Sequence, residues 1–186
     1  MKVCSRAHRT LGLGLGLSLL ELLVVLGLVG VLASLAVPSM GALLLKRSVH
    51  SQAEALVADL RLARSEAVKR AHTVVMCSSL DGQACSASAA WLEGWIVFAD
   101  RDGDRRLDAS EELIRVQPRL SGLISVASTK PQNDNAYFVY HPTGWAKAAN
   151  QTLVFTPQGS AAAPRVVCIS GQGRPTLRPE GWSECR

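Results

Sequence analysis

The sequence predicts an α+β protein: a long N-terminal helix, transmembrane at first and then amphipathic, packed on an antiparallel β-sheet or sandwich domain. Three observations carry this. Between Thr10 and Leu45 the only charged residue is Glu21. Apolar and small residues then recur at helical spacing as far as Ala67. Beyond His72, short β-rich runs alternate with Gly, Pro, Asn and Asp. A chain of 186 residues, 48% apolar, is long enough for about one domain with a real core. Its composition is neither that of a disordered chain nor that of a collagen.

The first element is the apolar run 17–37, which counts 21 positions. As a helix rising 1.5 Å per residue it measures about 31 Å, enough to cross the hydrocarbon core of a bilayer. Lys2, Arg6 and Arg9 precede it, and the polar bulk of the chain follows. The positive-inside rule places the N-terminus in the cytoplasm and the bulk on the other side. A secretory signal would have a shorter apolar stretch, about 7–15 residues, ending at a small-x-small site. Those three basic residues account for most of the formal charge of +5. The rest of the chain is nearly neutral, so charge alone gives little reason to expect a nucleic-acid partner.

Glu21 interrupts the apolar run, and an acidic residue inside a membrane segment is costly and usually functional. The string Gly16-Leu17-Ser18-Leu19-Leu20-Glu21, the apolar run after it and Pro38 beyond resemble the N-terminus of type IV pilins and type II secretion pseudopilins. The resemblance implies cleavage by prepilin peptidase between Gly16 and Leu17 and N-methylation of Leu17. Residues 1–16 are then a leader peptide, and Glu21 is the fifth residue of the mature chain. Pro38 becomes residue 22, where the family often has a Pro. Leu17 replaces the family's usual Phe. Gly12 and Gly14 also precede the run, but only Gly16 gives Glu21 its expected place. A buried charge is tolerated when paired. The Glu21 carboxylate of one subunit can neutralise the new amine of a neighbour and so set axial register. The implied location is the cell inner membrane, single-pass, with a periplasmic C-terminal domain, and then a pilus or pseudopilus. The implied partners are other pilins or pseudopilins, prepilin peptidase and the membrane.

Residues 38–72 are expected to continue the helix. Val49, Ala53, Leu56, Leu60, Ala63 and Ala67 step by four and three residues in turn, which is one stripe of a helix. Residues 73–186 are expected to form the β-rich domain. Strands are expected at 73–77, 95–99, 113–116, 123–126, 136–140, 152–155 and 165–169. This half resembles the GspH/FimT branch of the family. The carrying segments are Val75-Met76-Cys77-Ser78-Ser79, Gly94 to Asp100 with the acidic loop after it, and a C-terminal Gly-Arg element.

Cys77, Cys85, Cys168 and Cys185 lie together beyond the apolar run, an even set that suggests two disulfides in an oxidising compartment. Zinc is disfavoured, since no C-x2-C pair exists and no His lies near either cysteine pair. Loop closure favours the pairs nearest in sequence, Cys77–Cys85 and Cys168–Cys185.

Asp100 to Glu111 looks like a calcium loop. Asp100, Asp102, Asp104, Asp108 and Glu111 fall at positions 1, 3, 5, 9 and 12 of the EF-hand spacing, with Leu107 at position 8. Position 6 holds Arg105 where the turn asks for Gly, and the flanks read as strands rather than helices. A solvated acidic hairpin loop is the other reading. No cofactor is expected, with calcium at this loop as the one candidate exception.

Gly173-Arg174-Pro175-Thr176-Leu177-Arg178 is similar to the Gly-Arg-x-Arg element of FimT-type pilins, which is linked to DNA binding in competence. Thr176 stands where the second Arg belongs, and Arg178 comes two residues later. On an extended strand Arg174, Thr176 and Arg178 share one face. Arg165 and Arg186 are candidate additions to a patch whose phosphate contacts would be salt-sensitive. Scattered surface arginines are the other reading. No G-x-S-x-G, P-loop or H-E-x-x-H motif is present, so no enzyme is expected. The reading is a minor pilin or pseudopilin, with a DNA-binding minor pilin for DNA uptake as the alternative.

Overall fold

The computed structural model describes residues 18–88, 90–128, 136–147 and 150–185, with only the backbone of 35–39. The chain divides into two units, Met1–Met40 and Gly41–Arg186. One helix, α1 (Leu19–Arg70), contributes to both.

In the first unit, Ser18 stands just before the first residue of α1. The Ser18 hydroxyl accepts a hydrogen bond from the Leu20 N–H at 3.3 Å, and its carbonyl accepts one from the Leu22 N–H at 3.1 Å. Ser18 therefore caps the helix. The apolar side chains that follow, from Leu19 to Leu32, are exposed. Among the described residues, no helix is long and apolar enough to cross a membrane. The run read as a span also includes residue 17 and the side chains of 35–37, which lie outside the description.

In the second unit, α1 buries the stripe read from the sequence. Val49, Ala53, Leu56, Leu60, Ala63 and Ala67 are each at most 1% exposed. Full burial of a Leu contributes about 1.5–3 kcal/mol over exposure, so this face is what fixes the helix to the domain. The helix ends at Arg70, two residues before the expected limit at 72. Ala71 takes a left-handed φ of 55°, the conformation that stops a helix at C′.

Among the described residues nine strands follow, in two antiparallel sheets. The first holds β1 (Thr73–Ser78), β2 (Trp95–Asp100), β3 (Leu113–Gln117), β5 (Tyr137–Tyr140) and β6 (Ala146–Lys147), in the order β3-β2-β1-β5-β6. The second holds β4 (Leu123–Ser128), β7 (Gln151–Pro157), β8 (Arg165–Ile169) and β9 (Pro175–Leu177), in the order β4-β7-β8-β9. Val75 sits opposite Phe98, and Leu153 opposite Val167. All seven expected strands are present, with their ends moved by up to two residues; β6 and β9 were not expected as strands.

One core joins the α1 stripe to both sheets, through Val74, Met76, Trp95, Val97, Phe138 and Tyr140 of the first and Val126, Leu153, Phe155, Val167 and Ile169 of the second. The other face of the first sheet is covered too. Val75, Cys77, Ile96, Phe98 and Val139 pack there under Cys85, Leu107 and Tyr137. Burial on both faces explains why β1 and β2 read as unbroken apolar runs rather than as alternation.

A buried carboxylate ties helix to sheet. Asp59 of α1 accepts a hydrogen bond from Trp95 Nε1 at 2.9 Å, and Arg115 Nε lies 3.4 Å from its other oxygen. At the helix end, the Arg70 guanidinium donates to both Glu112 oxygens and to Glu66.

Candidate functional site

Gly16 and Leu17, the expected cleavage and methylation positions, lie outside the described residues. Glu21 is the third helical residue after the Ser18 cap. Ser-x-x-Glu is the capping-box spacing, and a carboxylate there is favoured by about 0.3–1 kcal/mol in the field of the helix N-terminus. The string Ser18-Leu19-Leu20-Glu21 is itself the sequence signal for this cap. Pro38 lies within α1, which passes through it without a break.

The four cysteines form two bridges. Cys77 of β1 bonds Cys85 with Cα atoms 5.5 Å apart, and Cys168 of β8 bonds Cys185 at 5.7 Å. These are the pairs the loop lengths favour. The first loop turns on Asp81, whose Oδ1 accepts from the N–H groups of Gln83 at 2.8 Å and Ala84 at 3.1 Å.

The acidic loop joins β2 to β3. Asp100 closes β2 and is 1% exposed. Its Oδ1 accepts from the Gly103 N–H at 2.8 Å, and the Arg105 N–H also donates to the carboxylate. Asp102 accepts from the Asp104 N–H at 3.1 Å, and Asp104 from the Arg106 N–H at 2.7 Å. Glu111 Oε1 accepts from the Arg101 N–H at 2.8 Å. Carboxylate oxygens of Asp100, Asp102 and Asp104 lie within 4.8 Å of one another. Asp108 and Glu111 are not part of that close group; Asp108 instead accepts from the Ser110 N–H and hydroxyl, both at 2.7 Å. Burial pushes both Asp100 and Glu111 above the usual carboxylate range, and neighbouring carboxylates add to this.

The Gly-Arg element is a hairpin turn and the strand after it. Gly173 has a φ of 74°, and a Cβ there would lie 2.3 Å from the Ala146 Cβ. Its N–H donates to the Ser170 carbonyl, and its carbonyl accepts from the Tyr140 hydroxyl, both at 2.8 Å. Arg174 and Thr176 are exposed and Arg178 is half-buried. Arg178 Nε donates to Cys168 Sγ at 3.3 Å, and its guanidinium sits 5.0 Å from the Trp182 ring centre. Arg165 does not join Arg174 and Arg178. It lies an odd number of residues from Cys168, hence on the other face of β8. There its Nη2 is 2.9 Å from His50 Nδ1, in a cleft of about 260 Å³ lined also by Lys46, Arg47 and Glu180. That cleft was missed because its helix residues, Lys46, Arg47 and His50, are far from Arg165 in sequence. Arg186 lies outside the described residues.

Residues 52–173 match the family model of the type II transport protein GspH. The chain is 33% identical over 175 residues to the pilin-like protein PilA1 of Thermus thermophilus, a match that covers 87% of this chain and 97% of that protein. The fold is similar to that of the type IV minor pilin FimU of Pseudomonas aeruginosa. That match has a TM-score of 0.52 at 22% identity, and covers 72% of this chain and 90% of the other.

Proposed function

The chain belongs to the GspH family of type II transport proteins, and from that premise we propose that it is a minor pilin or pseudopilin, a structural subunit rather than an enzyme. The observation that carries the reading is the combination of the GspH-type domain with an N-terminal helical segment whose apolar residues are exposed and whose one charge is Glu21. Prepilin peptidase cuts between Gly16 and Leu17, and Leu17 is then N-methylated. The precursor sits in the inner membrane, single-pass, with its N-terminus cytoplasmic and its C-terminal domain periplasmic. After cleavage it joins other pilins or pseudopilins in a type IV pilus or a type II secretion pseudopilus. The subunit amine at Leu17 meets the Glu21 carboxylate of a neighbour, a pairing that offsets the desolvation of both charges.

DNA capture is the lesser reading. It needs arginines free to meet phosphates, and Arg178 is engaged by Cys168 and Trp182. A salt-sensitive mobility shift of DNA by the purified chain, lost in Arg174→Ala, would favour it.

The test of assembly is Glu21→Ala in the native host. Membrane insertion should be unchanged, since the segment becomes more apolar, while incorporation into sheared filaments should fall at least tenfold. Normal incorporation of that variant would refute the pairing.

A further inference from the structure

We propose that the β2–β3 loop is a calcium site, with Asp100, Asp102, Asp104 and Glu111 as carboxylate ligands. Two buried carboxylate oxygens of the loop point to a ligand. Asp100 is 1% exposed, yet its Oδ2 is buried without a hydrogen-bond partner, and Glu111 Oε2 is in the same condition. A buried carboxylate oxygen without a partner is costly, and a cation among the loop's carboxylates satisfies it. The three Asp side chains already bring oxygens within 4.8 Å of one another, inside the span that one ion with oxygen ligands at about 2.3–2.6 Å can bridge.

The departures from the EF-hand pattern are accommodated. The sixth position asks for glycine because the chain must turn there, and Arg105 makes that turn itself, with a φ of 64°. Its guanidinium lies against the Tyr137 ring, 5.4 Å from the centre, and lines a cleft with Arg106 and Cys85. Leu107, at the eighth position, packs on the outer face of the first sheet. The loop is thus held at both strand ends and at its middle. The oxygen-only donor set and the number of carboxylates select a hard cation, and the irregular loop favours calcium over the smaller magnesium with its strict octahedral demand. Bound calcium would tie the end of β2 to the start of β3 and hold Leu107 over the sheet.

The experiment uses the full chain in detergent, stripped with a chelator and followed by thermal unfolding. Calcium at about a hundredfold excess over its Kd should raise Tm by about 5–10 °C, saturably. Asp100→Asn and Glu111→Gln should each remove that shift. In chelator both variants should melt at or above the unsubstituted chain, because each removes a charge that the metal-free loop leaves unsatisfied; this also shows that they fold. The proposal is overturned by no calcium shift in the unsubstituted chain, by a full shift in both variants, or by an equal shift with magnesium at the same concentration.

Discussion

Gly173 carries more of the fold than its place in a hairpin turn suggests. A Cβ there would meet Ala146 at 2.3 Å and Tyr140 at 2.8 Å, from a backbone at φ 74°. The left-handed conformation alone costs a non-glycine residue about 1–2 kcal/mol, and the clash adds to it. Gly173→Ala should lower stability by at least about 2 kcal/mol in urea denaturation; a change under about 0.5 kcal/mol would show that the turn relaxes freely. Asp59 gives a pH signature. Burial raises its pKa, against the hydrogen bond from Trp95 and the attraction of Arg115. An acid whose pKa is raised by folding favours the fold most when protonated. Its contribution is therefore fullest below the unfolded value of about 3.9 and is lost as pH rises through the raised value. Asp59→Asn stays neutral and still offers Trp95 an acceptor, so it lacks this loss. Its stability relative to the unsubstituted chain should improve between about pH 4 and pH 7. No improvement would contradict the assignment. Neither residue's role was legible in the sequence. Asp59 and Trp95 are brought together only by the packing of α1 on β2, and nothing local marks an Asp on a helix as buried.

At the scale of the element, periodicity was a faithful guide. The stripe from Val49 to Ala67 is the buried face of α1, because a helix repeats its faces at three and four residues whatever follows it. The seven longer strands were legible from β-branched and aromatic runs between turn residues. β6, of two residues, is too short to show a period, and β9 owes its pairing to β8 rather than to its own Pro-Thr-Leu sequence. The disulfides follow from loop length, and they have consequences for the C-terminal tail. Cys185 is held to Cys168, and Arg178 lies between that sulfur and Trp182. Closing a loop of 17 residues stabilises by about 3 kcal/mol in the chain-entropy model. Replacing Cys168 and Cys185 together by Ser should remove about that much and let a glutamyl endopeptidase cut the tail after Glu180 sooner than in the unsubstituted chain. Unchanged stability and unchanged cleavage would show that the tail is fixed by other contacts.

On the scale of the whole molecule, the family was legible because its N-terminal signature is a matter of spacing. Gly16, Glu21 and Pro38 are ordered along one apolar run, and the GspH match then covers the domain beyond it. The arginine patch was not legible in the same way. Arg165, Arg174 and Arg178 are close in sequence, but strand alternation sends Arg165 to the face against α1 while Arg178 packs on the tail. The acidic loop stands between these cases: its spacing could be read, but the burial of Asp100 could not. Assembly as proposed requires one covalent event, the removal of residues 1–16. Co-expression of the full chain with a prepilin peptidase, followed by N-terminal sequencing and intact mass, tests it most directly. The expected product is residues 17–186, a chain of 170 residues that begins at Leu17 and no longer forms when Gly16 is replaced by a large residue. A product beginning at Met1, Leu13 or Leu15 would contradict the account.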